Sequence, residues 1–428
     1  MEIKDLHEKF LQCNAISIDT RKINSGSFFV AIKGTQFDAN SFAAEALTKG
    51  ALFVVIDNPQ YYIDERTILV DNSLETLQQL AKYHRQYLKI PIIALTGSNG
   101  KTTTKELINA VVSSQFNTKA TLGNLNNHIG VPLTLLSFTT NTQIGIVEMG
   151  ANHVNEIAFL CSIALPDYGY ITNFGKAHLE GFGGVEGVIK GKSELYQFLK
   201  NNNKTAVVNL DDSLQVLNAS GINPITFGLK KNLASTNITA IQAKPFVSIS
   251  FDGTTINSHL IGLYNANNIQ AAVAIGQYLG ISNDKIKAAI EAYIPENNRS
   301  QLLKKGTNDI ILDAYNANPS SMTVAIDNFL QLDKKPKLMI LGDMFELGNE
   351  SYLEHQALIQ KLDKHHDIAC IFVGKSFFEA KMEQKNRHFF ETFDQLKNYL
   401  QNVTLQDNII LIKGSRGMAL ERCLDYIS

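Results

Sequence analysis

The chain has 428 residues, and its 39 lysines and arginines nearly balance its 41 aspartates and glutamates, giving a net charge of −2. That length predicts two or three domains, and the balanced charge excludes a protein that holds nucleic acid or membranes through bulk electrostatics. The first residues lack an apolar run of signal-peptide type, and no stretch approaches the roughly 20 apolar residues of a membrane span. Four scattered cysteines without a C-x-x-C spacing are typical of reduced, mostly buried thiols in a cytoplasmic protein.

The first segment, residues 1–88, mixes short apolar runs with turn residues. Its apolar runs are 28–32 and 52–56, each of a length that suits a buried strand. From Leu74 to Tyr87 the apolar residues recur at helical spacing, which predicts a helix that leads into the next segment.

The second segment, residues 89–297, alternates strand and helix patterns. Apolar strand candidates lie at 92–95, 144–149, 168–172 and 205–209. A β-rich stretch over roughly 224–261 precedes a predicted helix at about 265–279. This alternation predicts an α/β domain with a largely parallel sheet.

The third segment, residues 298–428, repeats the alternation around apolar runs at 310–312, 338–341, 370–373 and 409–412. It is predicted to be a second, doubly wound α/β unit. Pro295–Asn298 is a candidate hinge between the two units. Two α/β units joined by a hinge suit an enzyme that closes over two substrates.

The strongest motif is Thr96-Gly-Ser-Asn-Gly-Lys-Thr-Thr103, which follows an apolar run and opens an amphipathic segment. Strand, glycine turn and helix form a phosphate-binding loop, because backbone N–H groups and the helix N-terminus face the phosphates. Lys101 is placed to reach the outer phosphates and the Thr102 hydroxyl to hold Mg²⁺. The usual loop has a glycine where Leu95 stands, so this one is a variant.

Four further polar positions in the second segment each have two interpretations. Glu148 ends a predicted strand and suits either Mg²⁺ binding or helix capping. His178 follows a core strand, although a lone loop histidine is more often solvated. Lys192 lies on a predicted helix, where a lysine is usually solvent-facing. Asn265 opens a helix and is either an N-cap or one of several ligand-binding asparagines.

Three loops rich in polar side chains also keep two interpretations. Asn124–Asn127 offers side-chain amides to a ligand, or builds a turn. Asp313 ends a strand and suits ribose hydroxyls, while the polar run Asp313–Met322 that it opens can instead form a turn and a helix cap. Lys413–Gly417 brings two cations and two glycines to the end of the last strand, where they bind an anion or form a basic turn.

Together and in this order the motifs resemble the Mur ligase family, the ATP-dependent amide-forming enzymes of peptidoglycan precursor synthesis. The resemblance covers nearly the whole chain, and Thr96–Thr103 is similar to the family's form of the loop, which accounts for Leu95. It implies a small N-terminal α/β domain for the UDP-substrate, a central ATP-binding domain with a parallel sheet and a C-terminal Rossmann-like α/β domain. The implied bounds are 1–88, 89–297 and 298–428.

The resemblance also implies roles for single residues. The implied ATP-binding residues are Gly97, Ser98, Asn99, Gly100, Lys101, Thr102, Thr103, Asn265, Asn268, Arg299 and Asp313. The implied ligands of two Mg²⁺ ions are Thr102, Glu148, His178 and Lys192, the last as a carbamate. The implied catalytic residues are Lys101, His178, Lys192 and Arg299.

Within the family, four stretches resemble the branch that adds D-alanyl-D-alanine: Asn124–Asn127, Asp313–Pro319, Leu341–Gly348 and Lys413–Met418. The N-terminal motifs Asp19–Arg21, 26–31 and 34–38 resemble a UDP-muramoyl-binding domain, with Ala39-Asn40 where relatives often have Gly-His. The implied substrate contacts are Asp19, Thr20, Arg21, Ser27, Asn124, Asn126, Asn127, Asn316, Asn318, Ser320 and Arg416.

The implied reaction joins D-Ala-D-Ala to UDP-N-acetylmuramoyl-tripeptide through an acyl phosphate, at the expense of ATP, in a cytoplasmic monomer without a nucleic-acid partner. The alternative is the ligase that adds the preceding diamino acid. That enzyme usually carries Tyr-Ala-His-Thr-Pro where Tyr315–Pro319 stands, and an Asp-Asn-Pro-Arg motif that this chain lacks.

Two more distant alternatives fit the sequence less well. A folylpolyglutamate-synthetase-like enzyme shares the phosphate loop but has no UDP-muramoyl domain, whereas about 90 residues precede the loop here. A nucleotide-dependent switch protein has no need of the full set Lys101, Glu148, His178, Lys192 and Arg299.

Overall fold

The computed structural model describes residues 2–35, 37–296, 298–333, 336–382 and 385–427. Gln36 of the 34–38 motif and Asn297 of the predicted hinge lie outside these ranges. Within them, three sheets follow one another along the chain, with helices packed on them, and the predicted α/β class is confirmed. No helix in the described part of the chain is both long and apolar enough to cross a bilayer.

The N-terminal sheet is parallel, in the order β1-β2-β3-β4. Its strands are β1 Ala15–Ser17, β2 Ser27–Val30, β3 Ala51–Ile56 and β4 Thr67–Leu69. The helices of this region are α1 Ile3–Phe10, α2 Ala43–Thr48 and α3 Ser73–Leu88, with short 3-10 turns at Thr20–Lys22, Ala39–Phe42 and Pro59–Tyr61. Helix α3 matches the predicted helix and begins at its Asn72 cap, whose side chain accepts from Leu74 N and Glu75 N.

The central sheet has the order β13-β12-β11-β10-β9-β8-β5-β7-β6. Its strands are β5 Ile92–Thr96, β6 Thr118–Ala120, β7 Ile144–Glu148, β8 Tyr168–Ile171, β9 Thr205–Asn209, β10 Pro224–Leu229, β11 Thr236–Ala243, β12 Phe246–Phe251 and β13 Thr254–Ile261. Pairing is parallel from β6 to β11 and antiparallel at β12 and β13, so the sheet is largely parallel as predicted.

Helices cover both faces of the central sheet. They are α4 Lys101–Ser113, α5 Gly130–Leu136, α6 Glu156–Ala164, α7 Leu179–Phe182, α8 Val185–Asn201, α9 Ser213–Asn218, α10 Asn265–Tyr278 and α11 Asn283–Ala292. Because side chains alternate along β5, Ile92 and Ala94 pack with α3, α6 and α8, whereas Ile93 and Leu95 pack with α4 and α10. Leu95 is therefore a core residue of the strand, and the phosphate-loop motif begins after it, at Thr96.

The C-terminal sheet has the order β14-β15-β19-β16-β17-β18, parallel except for the edge strand β14. Its strands are β14 Gln301–Lys305, β15 Asn308–Asp313, β16 Lys337–Gly342, β17 Ala369–Val373, β18 Arg387–Phe390 and β19 Ile409–Lys413. The helices are α12 Pro319–Leu330, α13 Ser351–Leu362, α14 Lys375–Glu379 and α15 Phe393–Gln401, with 3-10 turns at Gly348–Glu350, Arg416–Met418 and Leu420–Asp425.

Helices lie on both faces of this third sheet as well. Helices α12 and α13 pack on one face and α15 on the other, which confirms the predicted doubly wound unit. The carboxyl ends of β15 and β19 carry Asp313 and Lys413 to the same edge, beside the carboxyl end of the central β5. The cysteines are free, with Cys161, Cys370 and Cys423 buried and Cys13 partly buried, as predicted.

Candidate functional site

The phosphate loop joins β5 to α4 and is braced by the segment that follows β8. Gly97 has φ of +141°, and a Cβ there would lie 2.0 Å from Thr172 Oγ1. Gly100 has φ of +79°, and a Cβ would lie 2.8 Å from Asn268 Oδ1. Only glycine fits these two positions, because both the backbone conformation and the close neighbours exclude a side chain.

Lys101 begins helix α4, with its stem inside the loop. Its Nζ donates to the carbonyl of Gly97 at 2.7 Å. Burial lowers the pKa of Lys101, Glu148 opposes that change, and the Arg299 guanidinium adds to it. Two cationic groups acting on one another are unfavourable by themselves, so an anion bound beside both would be stabilised.

Thr102 and Glu148 meet at the floor of the site. The Thr102 hydroxyl donates to Glu148 Oε2 at 2.9 Å, and Asn126 Nδ2 donates to Oε1 at 2.8 Å. Glu148 is 2% exposed and its backbone N–H donates to Thr121 Oγ1. The helix-capping interpretation of Glu148 is therefore wrong, since its carboxylate faces a hydroxyl and an amide side chain. Oxygen donors of this kind suit Mg²⁺.

Asn265 and Asn268 lie on the first turn of α10, buried against the phosphate loop. The N-cap interpretation is wrong, because Tyr264 occupies the cap position and no side chain caps the helix. Asn268 Nδ2 donates to Asn265 Oδ1 at 2.8 Å, and the Thr104 hydroxyl donates to Asn268 Oδ1 at 2.9 Å. The pair thus ties α10 to α4 behind the loop.

Lys192 is buried, which contradicts the expectation of a solvent-facing helix lysine. It is 1% exposed, its Nζ donates to the Ala151 carbonyl at 3.1 Å, and it lies 5.0 Å from the centre of the Phe182 ring. Burial lowers the pKa of Lys192 well below its usual value, and Lys101 acts in the same direction. A lowered pKa increases the neutral fraction of the amine, which is the form that reacts with carbon dioxide.

His178 caps α7 in the left-handed region, with φ of +54°. Its Nδ1 contacts the carboxylate of Glu346, which belongs to the C-terminal domain. The contact lowers the pKa of Glu346, against the opposing effect of burial. Glu346 lies within the predicted 341–348 motif, but no pattern in the sequence indicates that it meets His178.

Arg299 reaches the site from the start of the C-terminal domain. Its guanidinium carbon lies 3.6 Å from the centre of the Tyr315 ring, and its buried Nε has no hydrogen-bond partner. A stacked guanidinium with an unused buried donor is fitted to bind an anion. Tyr315 was missed as a functional candidate, and its place in the Asp313–Pro319 motif was the available signal.

Asp313 is paired rather than free. Lys413 Nζ contacts Oδ2 at 2.6 Å, and Ser300 N donates to Oδ1 at 3.1 Å. Lys413 also donates to the carbonyl of Asn316 at 3.2 Å. These bonds fix the loop that follows β15.

That loop contacts the phosphate loop directly. Asn318 caps α12 through Ser321 N, and its Nδ2 donates to Asn99 Oδ1 at 2.7 Å. Ser320 Oγ accepts from the backbone of Lys176 at 2.7 Å. The capping interpretation therefore holds for Asn318, while its amide also links the two domains.

Most of the predicted site residues line one cavity of about 980 Å³ between the central and C-terminal domains. Its walls include Ser98, Asn99, Gly100, Lys101, Thr102, Thr103, Asn124, Asn126, Asn127, Glu148, His178, Asn265, Asn268, Arg299, Asp313, Asn316, Asn318, Ser320 and Arg416. Gly97 and Lys192 do not line it. Arg416 is 60% exposed and pairs with Glu421 at 2.9 Å.

The N-terminal residues Asp19, Thr20, Arg21 and Ser27 do not line this cavity. Asp19 accepts from the Arg21 side chain at 2.9 and 2.8 Å, which lowers the pKa of Asp19 to about 2. Ser27 is buried and accepts from Asn24 N. Asn40 is also buried, bridging Asp38 and Asp57, so it has a structural role.

Three or more His, Cys, Asp or Glu side chains do not cluster as metal ligands anywhere in the described ranges. The candidate metal-binding surface instead combines the Glu148 carboxylate with the Thr102 hydroxyl, and His178 lines the same cavity. A hard cation with few protein ligands is compatible with this set, since Mg²⁺ keeps several waters and binds substrate phosphates.

Comparison with known families agrees with the fold and the cavity. The model of the Mur ligase middle domain matches residues 95–276, that of the Mur ligase glutamate ligase domain matches 298–416, and that of the Mur ligase family catalytic domain matches 12–85. The chain belongs to the Mur ligase family, and the predicted resemblance is confirmed.

The chain is also similar to individual proteins of this family along nearly its full length. The chain is 34% identical over 421 residues to the UDP-N-acetylmuramoyl-tripeptide–D-alanyl-D-alanine ligase of Bacillus subtilis, covering 95% of this chain and 92% of that protein. A crystal structure of MurF from Acinetobacter baumannii is 30% identical, with a TM-score of 0.86 over 99% of this chain and 98% of that one. MurF ligase from Thermotoga maritima in complex with ADP is 27% identical, with a TM-score of 0.84 over 97% of each chain.

Proposed function

We propose that this protein uses ATP to join D-alanyl-D-alanine to UDP-N-acetylmuramoyl-tripeptide, giving the UDP-muramoyl-pentapeptide, ADP and phosphate. One observation carries the proposal: the phosphate loop and the Thr102–Glu148 pair line the same cavity as Arg299, Asn318 and Arg416 of the C-terminal domain. The likeness to ligases of that name over nearly the full chain supports this substrate pair rather than the preceding diamino acid.

In this proposal each part of the nucleotide is bound by its own group of residues. The backbone N–H groups at the start of α4 and the Lys101 ammonium hold the outer phosphates. Asn265 and Asn268 bound the adenine side, and Asp313 accepts from the ribose hydroxyls. Arg299, stacked on Tyr315, steadies the phosphoryl group in transfer.

Thr102 and Glu148 are the proposed protein ligands of a Mg²⁺ ion. The cation, when bound, neutralises charge so that a carboxylate and a triphosphate approach each other. His178 and a carbamate of Lys192 are the proposed ligands of a second ion. A free Lys192 ammonium would repel a cation, whereas its carbamate offers oxygen.

The reaction proceeds in two steps. The terminal carboxylate oxygen of the tripeptide attacks the γ-phosphorus of ATP, the bond to ADP breaks, and an acyl phosphate forms. The free amine of D-Ala-D-Ala then attacks the acyl carbon, and the tetrahedral intermediate expels phosphate as the amine proton leaves. Proximity is the main contribution of the cavity, because both substrates must meet at one carbon.

The remaining residues bind the two substrates. Asn316, Asn318, Ser320 and Arg416 face D-Ala-D-Ala, with Arg416 as partner of its carboxylate. Asn124, Asn126 and Asn127 lie on the path of the muramoyl-peptide. Asp19, Thr20, Arg21 and Ser27 belong to the UDP-binding domain, for which we keep the bounds 1–88, with 89–297 and 298–428 for the others. The enzyme is a cytoplasmic monomer in this proposal.

Phosphate release tests the function. The purified protein with ATP, Mg²⁺ and UDP-muramoyl-tripeptide should release phosphate only when D-Ala-D-Ala is added, with the pentapeptide seen by mass spectrometry. Release that is independent of D-Ala-D-Ala would refute the proposal. Conversion of UDP-muramoyl-dipeptide with a free diamino acid would establish the alternative ligase.

A further inference from the structure

An aromatic side chain of the C-terminal domain, Phe345, faces the cavity and has no part in the proposed function. It follows β16, is 44% exposed and lines the cavity together with Arg416. Within the described ranges, the other residues that this domain contributes to the cavity have polar side chains, apart from Val324 and Gly417. Ligand sites combine a few polar groups with apolar surface, so an exposed ring at this place is a candidate substrate contact.

The backbone of Phe345 is fixed to the loop that carries Arg416. Phe345 N donates to Ser415 Oγ at 2.9 Å, and Ser415 N donates to the carbonyl of Asp343 at 3.1 Å. Ser415 is buried, and its hydroxyl also donates to the Ala317 carbonyl at 3.3 Å. The loops that follow β15, β16 and β19 therefore meet at one serine. Phe345 and Arg416 are held in a defined position relative to each other for this reason.

The ring of Phe345 lies against Gly417, the residue that follows Arg416. A Cβ on Gly417 would lie 2.7 Å from Cε2 of the ring, which is too close for any side chain at that position. On its other side, the Arg416 guanidinium carbon lies 5.9 Å from the centre of the Tyr315 ring. Two aromatic rings thus border Arg416, one at its neighbouring residue and one at its guanidinium.

The terminal residue of D-Ala-D-Ala matches these surroundings in two ways. Its carboxylate suits the Arg416 guanidinium. Its methyl group is attached to the carbon next to that carboxylate, so the methyl group must lie close to the guanidinium when the carboxylate is bound there. An apolar surface beside the arginine stabilises such a methyl group, because the contact removes it from water.

We propose that Phe345 is a specificity-determining residue, whose ring packs on the methyl group of the terminal D-alanine while Arg416 binds the carboxylate of the same residue. The contact selects alanine over glycine at the end of the dipeptide. The amino-terminal residue of the dipeptide contacts other parts of the cavity. This inference rests on the proposed function, in which D-Ala-D-Ala is the second substrate and Arg416 is the partner of its carboxylate.

The test compares D-Ala-D-Ala, D-Ala-Gly and Gly-D-Ala as substrates of the full-length protein with ATP, Mg²⁺ and UDP-muramoyl-tripeptide. In wild-type protein, kcat/KM for D-Ala-Gly should be about 10-fold below that for D-Ala-D-Ala, as expected for one methyl group in an apolar contact. In Phe345→Ala this difference should largely disappear. The difference between Gly-D-Ala and D-Ala-D-Ala should stay as in wild-type protein, since it reports the other methyl group.

The matched control is Phe159→Ala, because Phe159 is 43% exposed and lines the same cavity from the central domain. It should leave both differences unchanged. Phe345→Leu keeps an apolar side chain and should retain part of the preference for D-Ala-D-Ala over D-Ala-Gly, so the test does not depend on the folding of one variant. A general loss of folded protein would lower kcat/KM for all three dipeptides alike and would not change their ratios.

An unchanged difference between D-Ala-Gly and D-Ala-D-Ala in Phe345→Ala would overturn the inference, and so would an equal change for Gly-D-Ala. Wild-type protein that uses D-Ala-Gly as well as D-Ala-D-Ala would overturn it too. Each of these outcomes includes turnover of D-Ala-D-Ala by wild-type protein. Absence of that turnover would instead refute the proposed function, and this inference with it, so the two failures are distinguishable.

Discussion

The Thr102 hydroxyl donates to Glu148 Oε2 at 2.9 Å and so joins the first turn of α4 to the end of β7. Strands β5 and β7 are neighbours in the sheet, with Leu95 opposite Glu148 in the register. The pairing of these strands therefore brings the carboxylate to the helix that opens the phosphate loop. The same relationship locates the proposed Mg²⁺ ligands without any contribution from the other domains.

Glu148→Gln should separate the charge of this group from its packing. The amide still accepts from Asn126 and faces the Thr102 hydroxyl, so the thermal midpoint should change little. Loss of the negative charge should lower kcat by about 100-fold or more, in the range known for single preorganised electrostatic groups. Calorimetry and phosphate-release kinetics measure the two effects. Near-normal kcat at saturating Mg²⁺ would exclude Glu148 as a ligand.

Lys192→Met should abolish activity while the fold persists. The thioether keeps the packing against Phe182, and the lost hydrogen bond to Ala151 is worth about 1 kcal/mol. In wild-type protein, ¹³C-bicarbonate should give a carbamate signal that is missing in this variant. Lys192→Ala should be inactive too, with partial recovery on addition of short carboxylic acids. Full activity of either variant would contradict the carbamate role.

The stacking of Arg299 on Tyr315 should matter for ATP. Tyr315→Leu removes a cation–π contact worth about 1–2 kcal/mol, so kcat/KM for ATP should fall roughly 5- to 30-fold. Tyr315→Phe is the matched control, because it keeps the ring at 3.6 Å from the guanidinium. If the two variants behaved alike, the stacking would have no role in turnover.

A buried histidine pair should make stability depend on pH. His7 Nε2 lies 2.9 Å from His84 Nδ1, and His84 Nε2 lies 2.9 Å from the Phe138 carbonyl, so a neutral pair completes the chain of hydrogen bonds. Burial, with the charge of His84, lowers the pKa of His7 to about 4. Below about pH 6.5, His7 is protonated in the unfolded chain but stays neutral in the folded protein until the pH nears 4. The free energy of unfolding therefore falls as the pH falls toward 4.

The size of this effect is on the order of 2–3 kcal/mol between about pH 7 and pH 4. Urea unfolding at several pH values measures it. His7→Gln should flatten the dependence, while His366→Gln, at an exposed position, should not alter it. An unchanged pH dependence in His7→Gln would show that His7 is not the source of the effect.

Local signals in the sequence were enough to predict the phosphate loop. Strand, glycine turn and helix are encoded within Ile92–Ser113, and both positive-φ glycines fall where the motif predicts. The family and the α/β class were predicted for the same reason, since apolar periodicity and short motifs act over a few residues. The edge strands β6, β14 and β18 were missed, because short strands at a sheet edge carry weak apolar patterns.

The surroundings of Lys192, Asn265 and Glu346 could be determined only from the tertiary structure. Helical periodicity does not reveal that Lys192 faces Ala151 and Phe182, since a buried lysine departs from the usual pattern of its residue type. Nor does it show that Asn265 lies one residue inside its helix.

The nucleotide loop, the α/β class and the family follow from the amino-acid sequence alone, because each depends on residues that are close together in the chain. Tertiary packing settles which distant side chains meet: Thr102 with Glu148, Asn99 with Asn318, and His178 with Glu346. Strand order and domain packing fix those pairs, and neither is encoded in any single stretch of chain.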